Sequence, residues 1–297
     1  MDFSSILPAG LLTVGLLGVL IVDLIDGGKR PGAPAFIAML ALLGAGLLAL
    51  FSATSGKGSH DIVLGVLRAD TFSTVLTVFF SAVGLLTIIA TMRGEAFPRP
   101  GGEFLVLILA SVIGMAFLVM SIDLIALYLA FETVSITSYV LVGMRRADPK
   151  ANEAALKYVL FGSVSSALML YGLSFIVGLS GGTSLDAVAA AVQNGAASQP
   201  IFIVACLLTF AGFAFKISAV PFHFWAPDVY AGAPASVGGF LAVASKAAGF
   251  AALIRVVAVM APNGVAEATE WMGQLLPEGN ALITIIAVSA ILTMTFG

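Results

Sequence analysis

Apolar residues along this chain come in nine long windows, at about 8–25, 35–53, 71–92, 103–120, 122–144, 153–179, 200–230, 234–259 and 279–296. A bilayer core takes roughly 20 apolar residues per helix, and several windows reach that length. Most of them predict uninterrupted helices, because that geometry satisfies the backbone in lipid. Short polar links separate them: "DGGKRPGAP", "RGEAFPRPGG" and "RRADPKANE". The seventh window is too long for one simple helix and contains "FAFKISAVPFHFWAPDVYAGAP" at 213–234. The stretch 181–199, "GGTSLDAVAAAVQNGAASQ", reads as a Gly/Ala-rich exterior loop with room for one short surface helix. The pattern predicts an all-α, polytopic membrane protein of about nine transmembrane helices, the seventh broken.

Composition agrees. Of 297 residues 60% are hydrophobic and 10% charged, with a mean hydropathy of +1.11. A soluble domain carries about 25% charged residues, so lipid is the expected solvent. The segment "MDFSSILPAGLL" lacks the positive flank of a cleavable signal, and its apolar run reads as a retained span. A net charge of −3 gives no support for nucleic-acid binding. Cys206 is the only cysteine, too few for an iron–sulfur cluster or an internal disulfide. His60 and His223 are the only histidines, which excludes a His-rich metal site. No glycine-rich nucleotide loop sits at a strand–helix junction. The chain is therefore expected to hold no metal and no redox cofactor.

Positive charges set the expected orientation. Links after the first, third and fifth windows hold Lys29, Arg30, Arg93, Arg99, Arg145, Arg146 and Lys150, against Lys57 and Arg68 on the other side. That bias places the amino terminus outside the cytoplasm. The link at 260–278, with Glu267, Glu270 and Glu278 and no Lys or Arg, then falls outside as well.

Four ionisable residues fall at membrane depth or near it: Glu132, Lys157, Lys216 and Lys246. A charge at the bilayer centre costs ~2.5–3.5 kcal/mol on insertion scales, so these should face one another or internal water. Glu132 lies ten residues into the fifth window, ~15 Å down at 1.5 Å per residue. Ser135 and Tyr139 continue a polar stripe from it at i+3 and i+7. It reads as a protonatable group on an ion path, or as an acid pinning two helices. Lys246 is central in the eighth window, in "AVASKAAGFAAL", whose small residues let a helix or a water chain approach. A lysine caught between burial and a nearby carboxylate can titrate. Lys157 lies about one turn inside the sixth window and reads equally as a snorkelling lysine. Arg255 is expected to snorkel. Asp123 suits the start of the fifth helix, and Asp23 is given the same structural role.

Pro221, Pro227 and Pro234 each remove a backbone donor. Irregular backbone at membrane depth is tolerated inside protein or beside a water-filled cavity, and broken helices build ion sites in transporters. Lys216 is thus expected to end the first half of a discontinuous helix beside hydrated backbone. Pro227-Asp228 reads as the start of the second half, with Asp228 as its cap. His223 reads equally as a proton relay or as a hydrogen-bonded core histidine.

These residues carry a resemblance. "FETVSITSYVLVG", "FAFKISAVPFHFWAPDVYAGAP" and "VASKAAGFAALIRV" closely resemble the N-type antiporter-like membrane subunits of respiratory complex I, the proton-pumping NADH:quinone oxidoreductase. L- and M-type subunits and Mrp sodium/proton antiporters share the P-F-H-x-W-x-P-D core. The resemblance implies a fourteen-helix fold of two five-helix inverted repeats, each with a broken helix near a mid-membrane lysine. It divides this chain into a three-helix segment (1–102), the first repeat (103–260) and the start of the second (261–297). By motif match Glu132 is the fifth-helix glutamate, Lys216 the seventh-helix lysine and Lys246 the eighth-helix lysine of a central hydrophilic axis. Lys157 and His223 are further candidates. The chain stops at "SAILTMTFG", about where the family's ninth helix ends, which reads as a truncated or split subunit.

The expected function is proton translocation in the inner membrane of a bacterium. NADH, flavin, iron–sulfur clusters and quinone would belong to partner chains, and other membrane subunits, antiporter-like neighbours included, would flank this one. A cation/proton exchanger subunit of Mrp type is the alternative, and a membrane scaffold with purely structural buried charges is a third reading.

Overall fold

Lipid leaves a single segment one regular way to pair all its backbone groups, and the apolar windows follow it. The computed structural model describes residues 6–27, 32–54, 60–63, 65–93, 101–260 and 281–296. Eight helices among them are long and apolar enough to cross a membrane. Six come first: α1 (Leu7–Asp26), α2 (Gly32–Thr54), α3 (Thr71–Arg93), α4 (Gly102–Met120), α5 (Leu124–Val142) and α6 (Pro149–Ser180). After the short α7 (Leu185–Gln193) comes α8 (Pro200–Ile217), then α9 (Ala226–Gly232). The eighth span joins α10 (Ala235–Phe240), a π turn at Leu241–Ser245 and α11 (Lys246–Met260). The ninth window carries α12 (Ala281–Phe296), whose 16 residues fall short of the usual span length.

Helix ends follow local chemistry. Asp123 accepts from the backbone N–H groups of Ile125 and Ala126 and so caps α5, as expected. Its second oxygen accepts from Thr183 at 2.5 Å. Asp148 caps α6 through Lys150 N, with Pro149 in the first turn where no N–H is missed. Helix α4 stands in the middle of the bundle, with thirteen of its nineteen residues buried. Helix α1, in contrast, leaves Leu24 and Ile25 almost fully exposed, as suits a lipid-facing surface.

The link between the second and third windows holds a small hairpin: His60–Ile62 (β1) pairs antiparallel with Leu67–Ala69 (β2). Asp61 and Arg68 face each other across this hairpin with a 2.7 Å ion pair. That hydrogen bond holds the Arg68 guanidinium still further above its ordinary pKa. Ile62 and Leu67 pack on Met120 and Phe117 at the end of α4. Residues 121–123 then bridge to β2 on one side and to 183–185 on the other, which ties this end of the bundle together.

The eighth window is not an uninterrupted α-helix, since one π turn precedes Lys246. Arg255 does not snorkel. Its guanidinium grips both oxygens of Asp70 at 3.1 and 2.9 Å, and Asp70 in turn caps α3 through Ser73 N. The stretch 181–199 does hold a short helix, α7. Lys29, Arg30, Lys57, Arg99 and the acidic link with Glu267, Glu270 and Glu278 lie outside the described residues.

Candidate functional site

Helix α8 stops at Ile217, part way along the seventh window. Ser218 takes a left-handed backbone (φ 59°), and its N–H returns to the carbonyls of Ala214 and Phe215. Residues 219–225 are irregular, with a cis Val220–Pro221 peptide, before α9 resumes. The freed backbone groups find partners within the protein. Trp225 Nε1 donates to Phe215 O at 3.0 Å. Helix α12 supplies two hydroxyls: Ser289 donates to Val220 O at 2.7 Å, and Thr293 accepts from Val220 N at 3.0 Å. A cavity of about 450 Å³ borders the break, and Leu207, Phe210, Pro221, Val288 and Leu292 are among its apolar lining. The break thus rests on hydroxyls, an indole and an apolar wall.

Lys216 occupies the last turn of α8 and is 2% exposed. Its ammonium donates to Ser135 Oγ at 3.2 Å and lies 5.4 Å from the centre of the Phe131 ring. Ser135 is one turn from Glu132 on α5, so both predicted residues reach the same helix. They do not form a direct ion pair. Glu132 instead accepts from Ser166 on α6 at 2.5 Å, and Tyr128 OH lies 2.9 Å from the same Ser166 oxygen. The sequence marked Ser135 as part of a polar stripe but missed Ser166 and Tyr128. The available signal was Tyr128 at i−4 from Glu132.

Two glycines set the spacing. A Cβ at Gly249 on α11 would stand 3.0 Å from Lys216 Cγ, so this helix lies directly on the lysine stem. A Cβ at Gly162 would overlap the Tyr139 hydroxyl, and only glycine leaves room for it. Lys246 begins α11, one turn before Gly249. It is half-buried, and its ammonium lies 5.5 Å from the centre of the Tyr230 ring, whose hydroxyl is buried without a partner. Small residues therefore do what the sequence suggested, and bring the Lys246 helix onto Lys216.

Lys157 is not free. It pairs with Asp228 at 2.7 Å and with Glu153 at 2.8 Å. Asp228 accordingly caps nothing: α9 has no side-chain cap, because this carboxylate is turned to Lys157. Tyr158, next in sequence to Lys157, stacks on Trp225 at 4.5 Å and meets Phe215 at 5.7 Å. His223 sits in the break against Phe224, with a buried Nδ1 that has no partner.

A polytopic helical bundle with a buried lysine at a helix break is the architecture of an antiporter-like membrane subunit. Residues 121–296 match the family described as "NADH:quinone oxidoreductase/Mrp antiporter, TM", and the chain belongs to that family. It is 42% identical over 267 residues to NAD(P)H-quinone oxidoreductase subunit 2 of Trichodesmium erythraeum, covering 88% of this chain and 50% of that one. It is 36% identical to NADH-quinone oxidoreductase subunit N of Chlorobium chlorochromatii, covering 98% of this chain and 56% of the relative. Among solved structures it is similar to a chain of respiratory complex I from Thermus thermophilus with bound aureothin. There the TM-score is 0.69 at 30% identity, over 84% of this chain and 52% of that one. The chain thus spans about half the length of the relatives it matches.

Proposed function

We propose that the protein is an N-type, proton-translocating membrane subunit of a proton-pumping NADH:quinone oxidoreductase, and serves that enzyme without a redox centre of its own. NADH, flavin, iron–sulfur clusters and quinone would be held by partner subunits. The observation that carries this reading is the setting of Lys216: fully buried, at a helix break, on a hydroxyl one turn from Glu132. A charge so placed is costly, and in membrane proteins such charges mark ion and proton paths. On this reading Glu132, Lys216 and Lys246 exchange protons along the membrane mid-plane. Lys157 stands toward the end that carries Arg145 and Arg146, and His223 lines the break. Helices α4 to α11 form the first five-helix repeat, and other antiporter-like subunits flank it in a bacterial inner membrane, with the amino terminus outside.

The test is Lys216→Met in the full-length chain of the assembled complex, with proton transport measured in sealed vesicles. Transport should be lost while the complex stays assembled. Wild-type proton-to-electron ratios would overturn the role of this lysine. Orientation is checked separately with a cysteine at the exposed Ala147, which impermeant reagents should label only from the cytoplasm; native Cys206 is buried and will not compete. The family description also spans Mrp antiporters. Co-purification with small antiporter chains instead of iron–sulfur and flavin subunits would favour that assignment.

A further inference from the structure

Glu132 is met by a hydroxyl that has only one proton to give. Ser166, buried on α6, donates to Glu132 Oε1 at 2.5 Å, and Tyr128 OH lies 2.9 Å behind it. Tyr128 and Glu132 stand at i and i+4 on α5, so both address the same turn of α6. An ionised carboxylate only accepts. The Ser166 proton is then committed to Glu132, and Tyr128 must donate to Ser166. When Oε1 carries a proton the order reverses, and Glu132 donates to Ser166, which donates to Tyr128. The other titratable groups acting on this site are Tyr139 on the same helix and Lys216 from α8.

We propose that Ser166 and Tyr128 are the relay through which Glu132 exchanges its proton; the proposal rests on the proton-translocating reading above. In one transfer the Ser166 O–H bond breaks as an O–H bond forms on Glu132. The Tyr128 hydroxyl proton replaces the one Ser166 gave up, and hydronium in internal water restores Tyr128. One proton moves from water to the carboxylate, and nothing is oxidised or reduced.

The experiment uses the full-length chain in the assembled complex, with Lys216→Met beside the relay variants. Proton transport is read in sealed vesicles. The Glu132 carboxyl band is read by infrared difference spectroscopy and assigned by its loss in Glu132→Gln. Ser166→Ala should shift that band and cut transport by about tenfold or more, the factor one charge-assisted hydrogen bond carries. Ser166→Thr keeps a hydroxyl and should restore both. Tyr128→Phe keeps the ring and the Ser166–Glu132 bond, so transport should fall with little change in the band. Should Ser166→Ala fail to assemble, Tyr128→Phe and Ser166→Thr decide. Normal transport in Tyr128→Phe, with Lys216→Met inactive, overturns the relay and leaves the proposed function standing. Normal transport in Lys216→Met overturns the role of Lys216, on which the proposed function rests, whatever the relay variants do.

Discussion

Charges at the ends of this bundle are held by opposite charges, and charges in its middle are held by hydroxyls and rings. Arg255 grips Asp70, and Lys157 sits between Asp228 and Glu153. Lys216 meets Ser135 and Phe131, Lys246 meets Tyr230, and Glu132 meets Ser166. An ion pair fixes two helices, and breaking it strands a charge. A hydroxyl accepts from a lysine or donates to a carboxylate without neutralising either, so the charge stays free to change partner. On the proposed function, the ends of the bundle stay put and its middle exchanges.

The largest effect should separate these regions by function. Glu132→Gln should remove most proton transport, and Glu132→Asp should retain part of it, with assembly unchanged in both. Lys216 on α8 donates to Ser135, one turn from Glu132 on α5, so a double-mutant cycle on coupled turnover should show non-additivity of ~0.5–3 kcal/mol. Strict additivity would mean the two act independently, and the middle of the bundle would lose its claim to be one unit.

Next comes the Arg255–Asp70 clasp. Its side chains are 11% and 21% exposed, and Asp70 also caps α3. Arg255→Met or Asp70→Asn should lower stability by about 1.5–3 kcal/mol, as expected for hydrogen bonds to charged groups. Thermal unfolding in detergent checks this, and transport per assembled complex should be unchanged. The Trp225 indole belongs with the clasp. Trp225→Phe keeps the stack on Tyr158 but leaves the Phe215 carbonyl with the Ser218 N–H alone, at a cost of about 0.5–1.5 kcal/mol. A transport defect larger than the stability loss would move Trp225 into the exchanging region.

What the sequence revealed divides along the same line. Spans were legible because lipid forces long apolar windows, and the helix break because Pro221 and Pro227 withhold donors. Asp123 was legible as a cap because its partners are two and three residues away. Partners far along the chain were not. Asp70 lies 185 residues from Arg255, and Asp228 lies 71 from Lys157. In both cases a local rule, snorkelling or capping, was overruled by an opposite charge that folding brought close. The π turn before Lys246 left no mark, since its residues, Leu241–Ser245, suit an ordinary helix equally well. The hairpin at 60–69 was hidden by strands of three residues each.

The smallest effect belongs to Lys157, and it tests where the boundary between the two regions runs. Its side chain is 38% exposed, and that of Asp228 is 52% exposed. Exposed ion pairs are worth ~0.2–1 kcal/mol, because water screens the attraction and two long side chains lose freedom. A Lys157→Ala, Asp228→Ala double-mutant cycle on stability should therefore give only a small coupling. Glu153 complicates the Lys157 arm, since it keeps part of the contact when Asp228 is removed. The cycle repeated in a Glu153→Gln background isolates the Asp228 pair. The coupling should also shrink as salt is raised from 0.01 to 0.15 M, roughly, where the Debye length falls from about 30 to about 8 Å. A large coupling that ignores salt would mean that lipid and protein shield this pair from water. Lys157 would then sit on the exchanging side of the boundary, and Asp228 on α9 would be its partner across the broken helix.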